Sequence, residues 1–168
     1  MANKQIKIRK VRGNAKLPES KNGNWYDCYT SALAVVSKDE VVGGLDWKLA
    51  DTKKVEDGIV KVFEGDVLVA YLGFATDLGK GYEAELKERS GTFPKYGLIQ
   101  GNAVGLIDDS YCGDNDEWKA VFYCTRPAII RVGERLTQMS VKKSNYVGFK
   151  EVESLGNKDR GGWGSTGK

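Results

Sequence analysis

The sequence predicts an all-β domain, because its apolar segments are short and several of them alternate apolar with polar residues. Residues 5–9 (Gln-Ile-Lys-Ile-Arg) and 82–87 (Tyr-Glu-Ala-Glu-Leu-Lys) alternate with a period of two, as expected of half-buried strands. Glycine is abundant at 21 residues, proline is scarce at 3, and no segment keeps a helical period over three turns. These features favour a sandwich, barrel or jelly roll.

Seven apolar segments are expected to contain strands. In chain order they are residues 5–11, 30–36, 58–63, 67–74, 82–86, 118–124 and 128–131. Between the second and the third, residues 37–57 are polar and contain Val42-Gly43-Gly44-Leu45, which indicates a hairpin or surface excursion, with a short helix as the alternative. This excursion carries no recognisable chemistry.

Length and composition indicate one compact domain followed by an arm. With 168 residues, 40% of them hydrophobic, the chain can bury one core and has little room for a second. From Leu155 onward it is rich in glycine and has too few apolar side chains to enter a core. We therefore predict a β domain over residues 1–154 and a flexible arm over 155–168.

Composition argues against several classes of partner and site. The net charge is only +3 with no long block of like charges, so nucleic acid is not an expected partner. No apolar run resembles a signal peptide or a membrane span, which predicts a soluble, cytoplasmic protein. Cys28, Cys112 and Cys124 lack paired spacing and are expected to be reduced. Histidine is absent, so the chemistry must use carboxylates, hydroxyls and basic groups, with or without a hard cation.

The most informative segment is residues 101–113, Gly-Asn-Ala-Val-Gly-Leu-Ile-Asp-Asp-Ser-Tyr-Cys-Gly. An apolar strand that ends in carboxylates and a tyrosine, bracketed by glycines, predicts a β-hairpin. Such a hairpin would present backbone amides, an acid and an aromatic face to a small ligand. Taken alone, the segment also fits a turn with two solvated aspartates.

Three further segments accompany it in a fixed order. They are Arg89-Ser90-Gly91, the stretch 133–138 (Gly-Glu-Arg-Leu-Thr-Gln) and the tail 160–167 (Arg-Gly-Gly-Trp-Gly-Ser-Thr-Gly). Together the four segments resemble the motifs RSG, G-x-ID-x-x-Y-x-G, GER-x-x-Q and RG-x-GGFGSTG of the trimeric dUTPase family, including its phage-type members. The match spans residues 82–167.

The resemblance implies a fold, an assembly and a reaction. The fold is a jelly-roll-like, distorted β-barrel that assembles as a homotrimer, each site drawing on segments from different subunits. The reaction is hydrolysis of dUTP to dUMP and pyrophosphate, by in-line attack of water on the α-phosphorus with Mg²⁺ assistance. The C-terminal arm is expected to close over the nucleotide.

The same resemblance assigns roles to the segment 101–113. Asp108 is the expected general base for the attacking water, which requires a carboxylate within hydrogen-bond reach. Tyr111 is expected to pack on the deoxyribose and to disfavour a 2′-hydroxyl. Asn102 and the backbone at Gly105 and Ile107 are expected to read uracil. An ordinary turn-capping role fits Asp109 better than Asp108.

Phosphate binding requires donors without bulk. Arg89, Ser90 and Gly91 supply a guanidinium, a hydroxyl and an unobstructed amide, and Gln138 resembles a further phosphate contact. In the arm, the expected contacts are Arg160, Trp163, Gly164, Ser165 and Thr166. Trp163 stands where the family usually has Phe, and a gapless alignment places Lys158, not Arg160, at the position of the family's basic residue.

The first motif of the family, AG-x-DL, supplies the acid on the metal side of the site, and it is the motif that this sequence matches least. Asp27, followed by an aromatic-containing stretch, is our candidate to bind Mg²⁺ through coordinated water. Asp77 resembles that motif superficially but lies too close to Ser90, and we interpret it as a decoy. Glu88 replaces the proline that often precedes the RSG motif, and an inward-pointing carboxylate there would repel phosphate.

Two other functions stay open at this point. One is a dCTP deaminase-type enzyme on a related scaffold, which would release ammonia from dCTP. The other is a nucleotide-gated regulatory or binding protein, in which the excursion 37–57 contacts a protein partner.

Overall fold

The computed structural model describes residues 4–41 and 43–162. Its strands are β1 Lys7–Lys10, β2 Tyr26–Cys28, β3 Ala32–Val36, β4 Ile59–Val62, β5 Val67–Tyr71, β6 Phe74–Asp77, β7 Tyr82–Glu88, β8 Leu98–Gln100, β9 Gly105–Ile107, β10 Lys119–Cys124, β11 Ala128–Arg131 and β12 Thr137–Lys143. Its α-helices are α1 Trp47–Thr52 and α2 Thr92–Tyr96, with a 3-10 helix at Lys38–Glu40. The all-β prediction is confirmed.

Antiparallel pairing builds two four-stranded sheets and two ribbons. One sheet has the order β3-β5-β10-β8 and the other β2-β12-β7-β9, while β1 pairs with β6 and β4 with β11. The main core takes side chains from both sheets and from the β4-β11 ribbon, including Leu33, Leu86, Phe122 and Ile130. A strand pattern of this kind, closed around one core, is the jelly-roll-like fold expected from the sequence.

The predicted segment 67–74 is interrupted. Strand β5 ends at Tyr71 and β6 begins at Phe74, with Gly73 between them at a φ of +76°. A Cβ on Gly73 would lie 2.7 Å from the Cβ of Ala15 and 2.4 Å from Ser31 Oγ, so only glycine fits this break. The chain therefore leaves one sheet at Gly73 and enters the ribbon with β1.

Strand β12 is the largest element that the sequence analysis did not predict. It runs between β2 and β7, yet only Thr137 and Met139 of its seven residues are buried. Because its remaining side chains are polar or half-exposed, the stretch lacks the apolar signal of a central strand. Its place in the sheet aligns Gln138 with Asp27 on one side and with Lys87 on the other.

The excursion 37–57 is a packed element, and the short helix considered as an alternative is present as α1. Asp46 caps this helix by accepting hydrogen bonds from the amides of Lys48 (2.8 Å) and Leu49 (3.3 Å). Helix α1 contributes Ala50 to a second, smaller apolar cluster whose other members lie on β3 and β5: Ala32, Ala34, Val36, Val69 and Tyr71. The excursion rejoins the sheet where Val55 pairs with Leu33.

The last strand ends at Lys143. Residues 144–162 contain no helix or strand, and residues 145–162 are exposed. The division into a β domain and an arm at residue 154 stays a prediction. Within the part of the chain that the structure describes, no helix is long and apolar enough to cross a membrane.

Candidate active site

An acid held between two arginines marks the end of the β2-β12-β7-β9 sheet. The Nε of Arg89 lies 2.7 Å from one carboxylate oxygen of Asp27, and an Nη of Arg135 lies 2.9 Å from the other. Strand pairing brings these distant residues together, since β12 lies between β2 and β7 and follows directly from the turn that carries Arg135. The three side chains are 20% to 35% exposed, so solvent screens their attraction only partly.

Next to this cluster, Arg89, Ser90 and Gly91 form the turn into α2. Arg89 is fixed by a backbone hydrogen bond to Leu136, 3.1 Å long. Among the described residues, the amides of Ser90 and Gly91 and the hydroxyl of Ser90 make no hydrogen bond. The turn therefore has two unused amides and an unused hydroxyl next to the Arg89 guanidinium, which is a donor set suited to a phosphate group.

Two neighbouring polar residues complete the cluster. The Gln138 side-chain amide donates to the backbone carbonyl of Glu88 at 3.4 Å. The Glu88 carboxylate accepts from the backbone amide of Gln100, 3.0 Å away on β8. Glu88 thus binds the backbone of β8, and the phosphate repulsion considered from the sequence stays a prediction.

The segment 101–113 is not the paired hairpin that the sequence predicts. Strand β8 pairs with β10, whereas β9 pairs with β7, so the chain crosses from one sheet to the other between Gln100 and Gly105. Ala103 has a φ of +54° in this crossing turn. A Cβ on Gly105 would meet the Leu86 Cβ at 3.2 Å, so the close approach of β9 to β7 favours glycine there.

The crossing turn also fixes Asn102. Its side-chain oxygen accepts a hydrogen bond of 3.0 Å from the side-chain amide of Gln100, which in turn donates to the Leu86 carbonyl at 2.9 Å. The side-chain NH₂ of Asn102 makes no hydrogen bond among the described residues. It is therefore available to a ligand as a donor, as a reader of a pyrimidine carbonyl requires.

Asp108 lies just beyond β9 and caps its own turn. One carboxylate oxygen accepts from the amide of Ser110 at 2.9 Å and from its hydroxyl at 2.5 Å. These bonds, led by the one from the hydroxyl, hold the pKa of Asp108 below its usual range. The second oxygen is unused within the described residues, so an ionised carboxylate faces solvent with one free acceptor.

Asp109 binds two other parts of the chain. It accepts hydrogen bonds from the amide of Gly81 at 2.9 Å and from the hydroxyl of Tyr146 at 2.5 Å. The Tyr146 bond is the main cause that lowers the pKa of Asp109. The turn-capping role that the sequence suggests for Asp109 thus belongs to Asp108, while Asp109 links the turn to the residues that follow β12.

A slot of about 380 Å³ opens beside β9, the strand that directly precedes Asp108. Its lining combines the crossing segment with residues of other elements: Trp47, Asn102, Gly105, Leu106, Ile107, Tyr111, Glu117, Trp118 and Lys119. Tyr111 is 40% exposed, and its hydroxyl donates to the Glu117 carbonyl at 3.2 Å. The slot has a volume suited to a small ligand such as a nucleoside, with one aromatic face already held in place.

Asp108 and the Arg89 cluster lie toward opposite ends of β7. Ile107, which precedes Asp108, pairs with Ala84, while Arg89 follows the last residue of the strand. Five strand positions separate Ala84 from Arg89, a distance of roughly 17 Å. One chain thus brings Asp27, Arg89 and Gln138 together and holds Asn102, through Gln100, near the same end of β7. It does not bring Asp108 to that point.

Only some of the arm residues named from the sequence lie within the described part of the chain, which ends at residue 162. Lys158 and Arg160 lie in exposed, irregular chain. Trp163, Gly164, Ser165 and Thr166 lie outside the described residues, so their expected contacts with a nucleotide stay predictions.

Among residues 4–41 and 43–162, no group of three or more acidic or sulfur side chains forms a metal cage. Both oxygens of Asp27 already face guanidinium groups, which argues against direct coordination of a divalent ion. Each oxygen keeps a second lone pair, so a contact through a metal-bound water fits the geometry.

Two residues of these clusters were missed from the sequence. Arg135 belongs to the GER segment quoted for the resemblance, and that motif was the signal that could have identified it as a partner for Asp27. Trp47 had no such signal, because it lies in the excursion, far along the chain from every motif.

No protein-family model matches the chain. Among curated proteins, it is 43% identical over 123 residues to the SPbeta prophage-derived deoxyuridine 5′-triphosphate nucleotidohydrolase YosS of Bacillus subtilis, covering 73% of this chain and 84% of that protein. It is 35% identical over 167 residues to the deoxyuridine 5′-triphosphate nucleotidohydrolase of Hydrogenobaculum sp., covering 97% of this chain and 98% of that protein.

Solved structures have the same fold. A mutant dUTPase of Staphylococcus bacteriophage 80alpha with dUpNHpp superposes with a TM-score of 0.67 at 18% identity, covering 99% of this chain and 100% of that one. A mutant dUTPase of phage phi11 of S. aureus, described with a structural Mg(II) ion, gives a TM-score of 0.64 at 16% identity, covering 90% and 99%. With the fold shared and most of a 43%-identical relative covered, the chain belongs to the dUTPase family, the deoxyuridine 5′-triphosphate nucleotidohydrolases.

Proposed function

We propose that this protein is a dUTP diphosphatase that hydrolyses dUTP to dUMP and pyrophosphate. The observation that carries the proposal is the arrangement along β7: a phosphate-type donor set at Arg89, and an ionised carboxylate, Asp108, directly after a strand that lines a nucleoside-sized slot. Curated relatives that cover most of the chain bear the name of this activity.

Asp108 acts as the general base in this proposal. Its free oxygen accepts a proton from water as the water oxygen bonds to the α-phosphorus, and the bond from that phosphorus to the bridging oxygen of the β-phosphate breaks. The products are dUMP and pyrophosphate. Because the pKa of Asp108 is lowered, the carboxylate is ionised at neutral pH but only weakly basic. The reaction must therefore rely on positioning and on charge stabilisation more than on basicity.

The donors near Arg89 stabilise the departing charge. Asp27 binds the Nε of Arg89 and so fixes the plane of the guanidinium. The amides of Ser90 and Gly91 add neutral donors that need no reorganisation when charge develops. Gln138 adds an amide at the same end of the sheet.

Mg²⁺ is proposed as the cofactor. When bound to the triphosphate it would neutralise phosphate charge, and it retains much of its water shell. Asp27 would meet such an ion through one of those waters. The phi11 dUTPase is described with a structural Mg(II) ion, which supports Mg²⁺ as the metal for this fold.

The separation of Asp108 from Arg89 along β7 supports a site shared between subunits, and the family resemblance makes that assembly a homotrimer. A triphosphate bound at Arg89 of one chain cannot reach Asp108 of that chain across roughly 17 Å of β7 while its base fills the slot. A ring of identical subunits joins one end of β7 to the other end on a neighbour. In this assembly the arm, with Arg160, Trp163, Gly164, Ser165 and Thr166, closes over the nucleotide.

Pyrophosphate release from dUTP, dTTP, dCTP and UTP, each with Mg²⁺ and with EDTA, tests the activity. We expect release from dUTP alone, and only with Mg²⁺. Ammonia release from dCTP would replace the proposal by the deaminase alternative. Tight dUTP binding without pyrophosphate release would favour the nucleotide-gated binding protein, and the protein partner of residues 37–57 stays a prediction.

Mixing two inactive variants tests the assembly. Asp108→Asn and Arg89→Ala chains, unfolded and refolded together in equal amounts, should regain about a quarter of wild-type sites if each site takes the two residues from different subunits. Each variant refolded alone is the control. No recovery in a mixture of the correct solution mass would contradict the shared site.

A further inference from the structure

The excursion places one aromatic residue at the nucleoside slot. Trp47 is the first residue of α1, is 47% exposed, and lines the slot together with Asn102, Gly105 and Tyr111. The rest of the lining comes from residues 102–111 and from residues 117–119, where β10 begins. Trp47 is therefore the one contribution of the excursion to this part of the described structure.

Three contacts of α1 fix the position of Trp47. Asp46 caps the helix, Ala50 is fully buried on the β3-β5 face, and the hydroxyl of Tyr71 donates to Asp51 at 2.7 Å. This last bond is the main cause that lowers the pKa of Asp51, so the acceptor is charged at neutral pH. Because the backbone is anchored elsewhere, the Trp47 ring is not needed to hold the helix.

A cation lies beside the ring. The Nζ of Lys119 is 5.6 Å from the Trp47 ring centroid and 5.3 Å from that of Tyr71. Cation–π attraction of this kind restrains both partners without covering the whole face of the indole. The ring is thus held at the slot while about half of its surface stays open.

We propose that Trp47 is a nucleoside-contacting residue and that the excursion serves to present it. The proposal rests on the proposed function, since the crossing segment is taken to read the base and Tyr111 to pack on the sugar. An indole face at the same slot adds aromatic contact to the nucleoside, which is common to substrate and product. It contributes binding that is equal before and during the reaction, so it acts on KM and not on kcat.

The test compares Trp47→Ala, Trp47→Phe and a matched control, Phe63→Ala. Phe63 is also an exposed aromatic, at 60%, but it lies outside the slot. The measurements are kcat and KM for dUTP, the dissociation constant of dUMP by calorimetry, the thermal midpoint and the solution mass. Binding of dUMP requires no catalysis, so it reports on the slot even if the protein does not hydrolyse dUTP.

For Trp47→Ala we expect KM and the dUMP dissociation constant to rise together by about tenfold, with kcat within about twofold of wild type. Trp47→Phe should recover most of the loss, and Phe63→Ala should match wild type. Unchanged KM and dUMP affinity in a folded Trp47→Ala protein would overturn the proposal. Weaker binding accompanied by a changed solution mass would also overturn it, because Trp47 would then act through assembly.

Failure of the proposed function would look different. In that case the wild-type protein would release no pyrophosphate from dUTP, whatever residue stands at position 47. A dependence of dUMP binding on Trp47 would then still establish the slot contact.

Discussion

The two halves of the candidate site are built in different ways. At the Arg89 end of β7, three paired strands and two ion pairs on Asp27 hold the donors in place. At the Asp108 end, the active groups lie on a segment that crosses between sheets, and the base is held by its own turn. The phosphate donors thus depend on long-range contacts, whereas the base Asp108 depends on contacts within its own turn.

This difference indicates where each half tolerates change. Replacing a charge at the phosphate end disturbs partners that are far apart in the chain, so both stability and binding should respond. Replacing a group at the nucleoside end changes one local contact, so chemistry should respond with the fold unaffected.

The largest effect is expected for Asp108→Asn. An amide cannot accept the proton of the attacking water, so kcat should fall by about a thousandfold, while dUMP affinity and the thermal midpoint should stay near wild type. The matched control is Asp77→Asn, which alters a strand-end aspartate paired with Lys7 outside the site. Near-normal turnover in Asp108→Asn would remove Asp108 from the proposed role.

A smaller but broader loss is expected for Asp27→Ala. It would leave the guanidinium groups of Arg89 and Arg135 facing each other without an acid between them. We expect the free energy of unfolding to fall by about 1–2 kcal/mol, given the partial exposure of the pair, and KM for dUTP to rise. Urea titration and steady-state kinetics measure the two effects. A change in KM with unaltered stability would show that the ion pairs do not hold this end of the sheet.

Ser110→Ala tests the local control of Asp108 through the pH dependence of kcat. The hydroxyl of Ser110 is the main cause of the lowered pKa of Asp108, so its removal should raise that pKa toward the ordinary value. Asp108 must be ionised to accept a proton, and wild-type activity is therefore lost only as pH falls through the lowered pKa. In Ser110→Ala the acidic limb of the kcat profile should move to higher pH. An unmoved limb would mean that another group sets it.

The sequence predicted the short strands and the candidate site residues, but it did not predict which strands pair with each other. Short alternating strands and the identities of Arg89, Ser90 and Gln138 follow from patterns within a few residues. The pairing of β9 with β7 instead of a hairpin partner is decided by tertiary packing, which includes the close approach of Gly105 to Leu86. Strand β12 was missed because a central strand that buries few side chains carries little apolar signal.

Contacts between distant segments explain the remaining gaps. Arg135 meets Asp27 across 108 positions of sequence, and no local spacing encodes that pair. Trp47 reaches the slot only because α1 packs on the β3-β5 face, a contact made by small apolar residues that carry no motif. Sequence patterns therefore name the groups that do chemistry more readily than the residues that surround them.

The smallest effect is expected for Tyr146→Phe, which tests whether the nucleoside end is as local as it appears. The Tyr146 hydroxyl is the main cause of the lowered pKa of Asp109, the residue next to the base, and Tyr146 lies just after β12. If Asp108 depends only on its own turn, kcat and its acidic limb should stay within about twofold of wild type in Tyr146→Phe. Limited proteolysis after Lys150 should meanwhile become faster, because the link from Asp109 to the chain beyond β12 is lost. A large fall in kcat would instead mean that the residues following β12 help to position the base, and the contrast between the two ends of β7 would no longer hold.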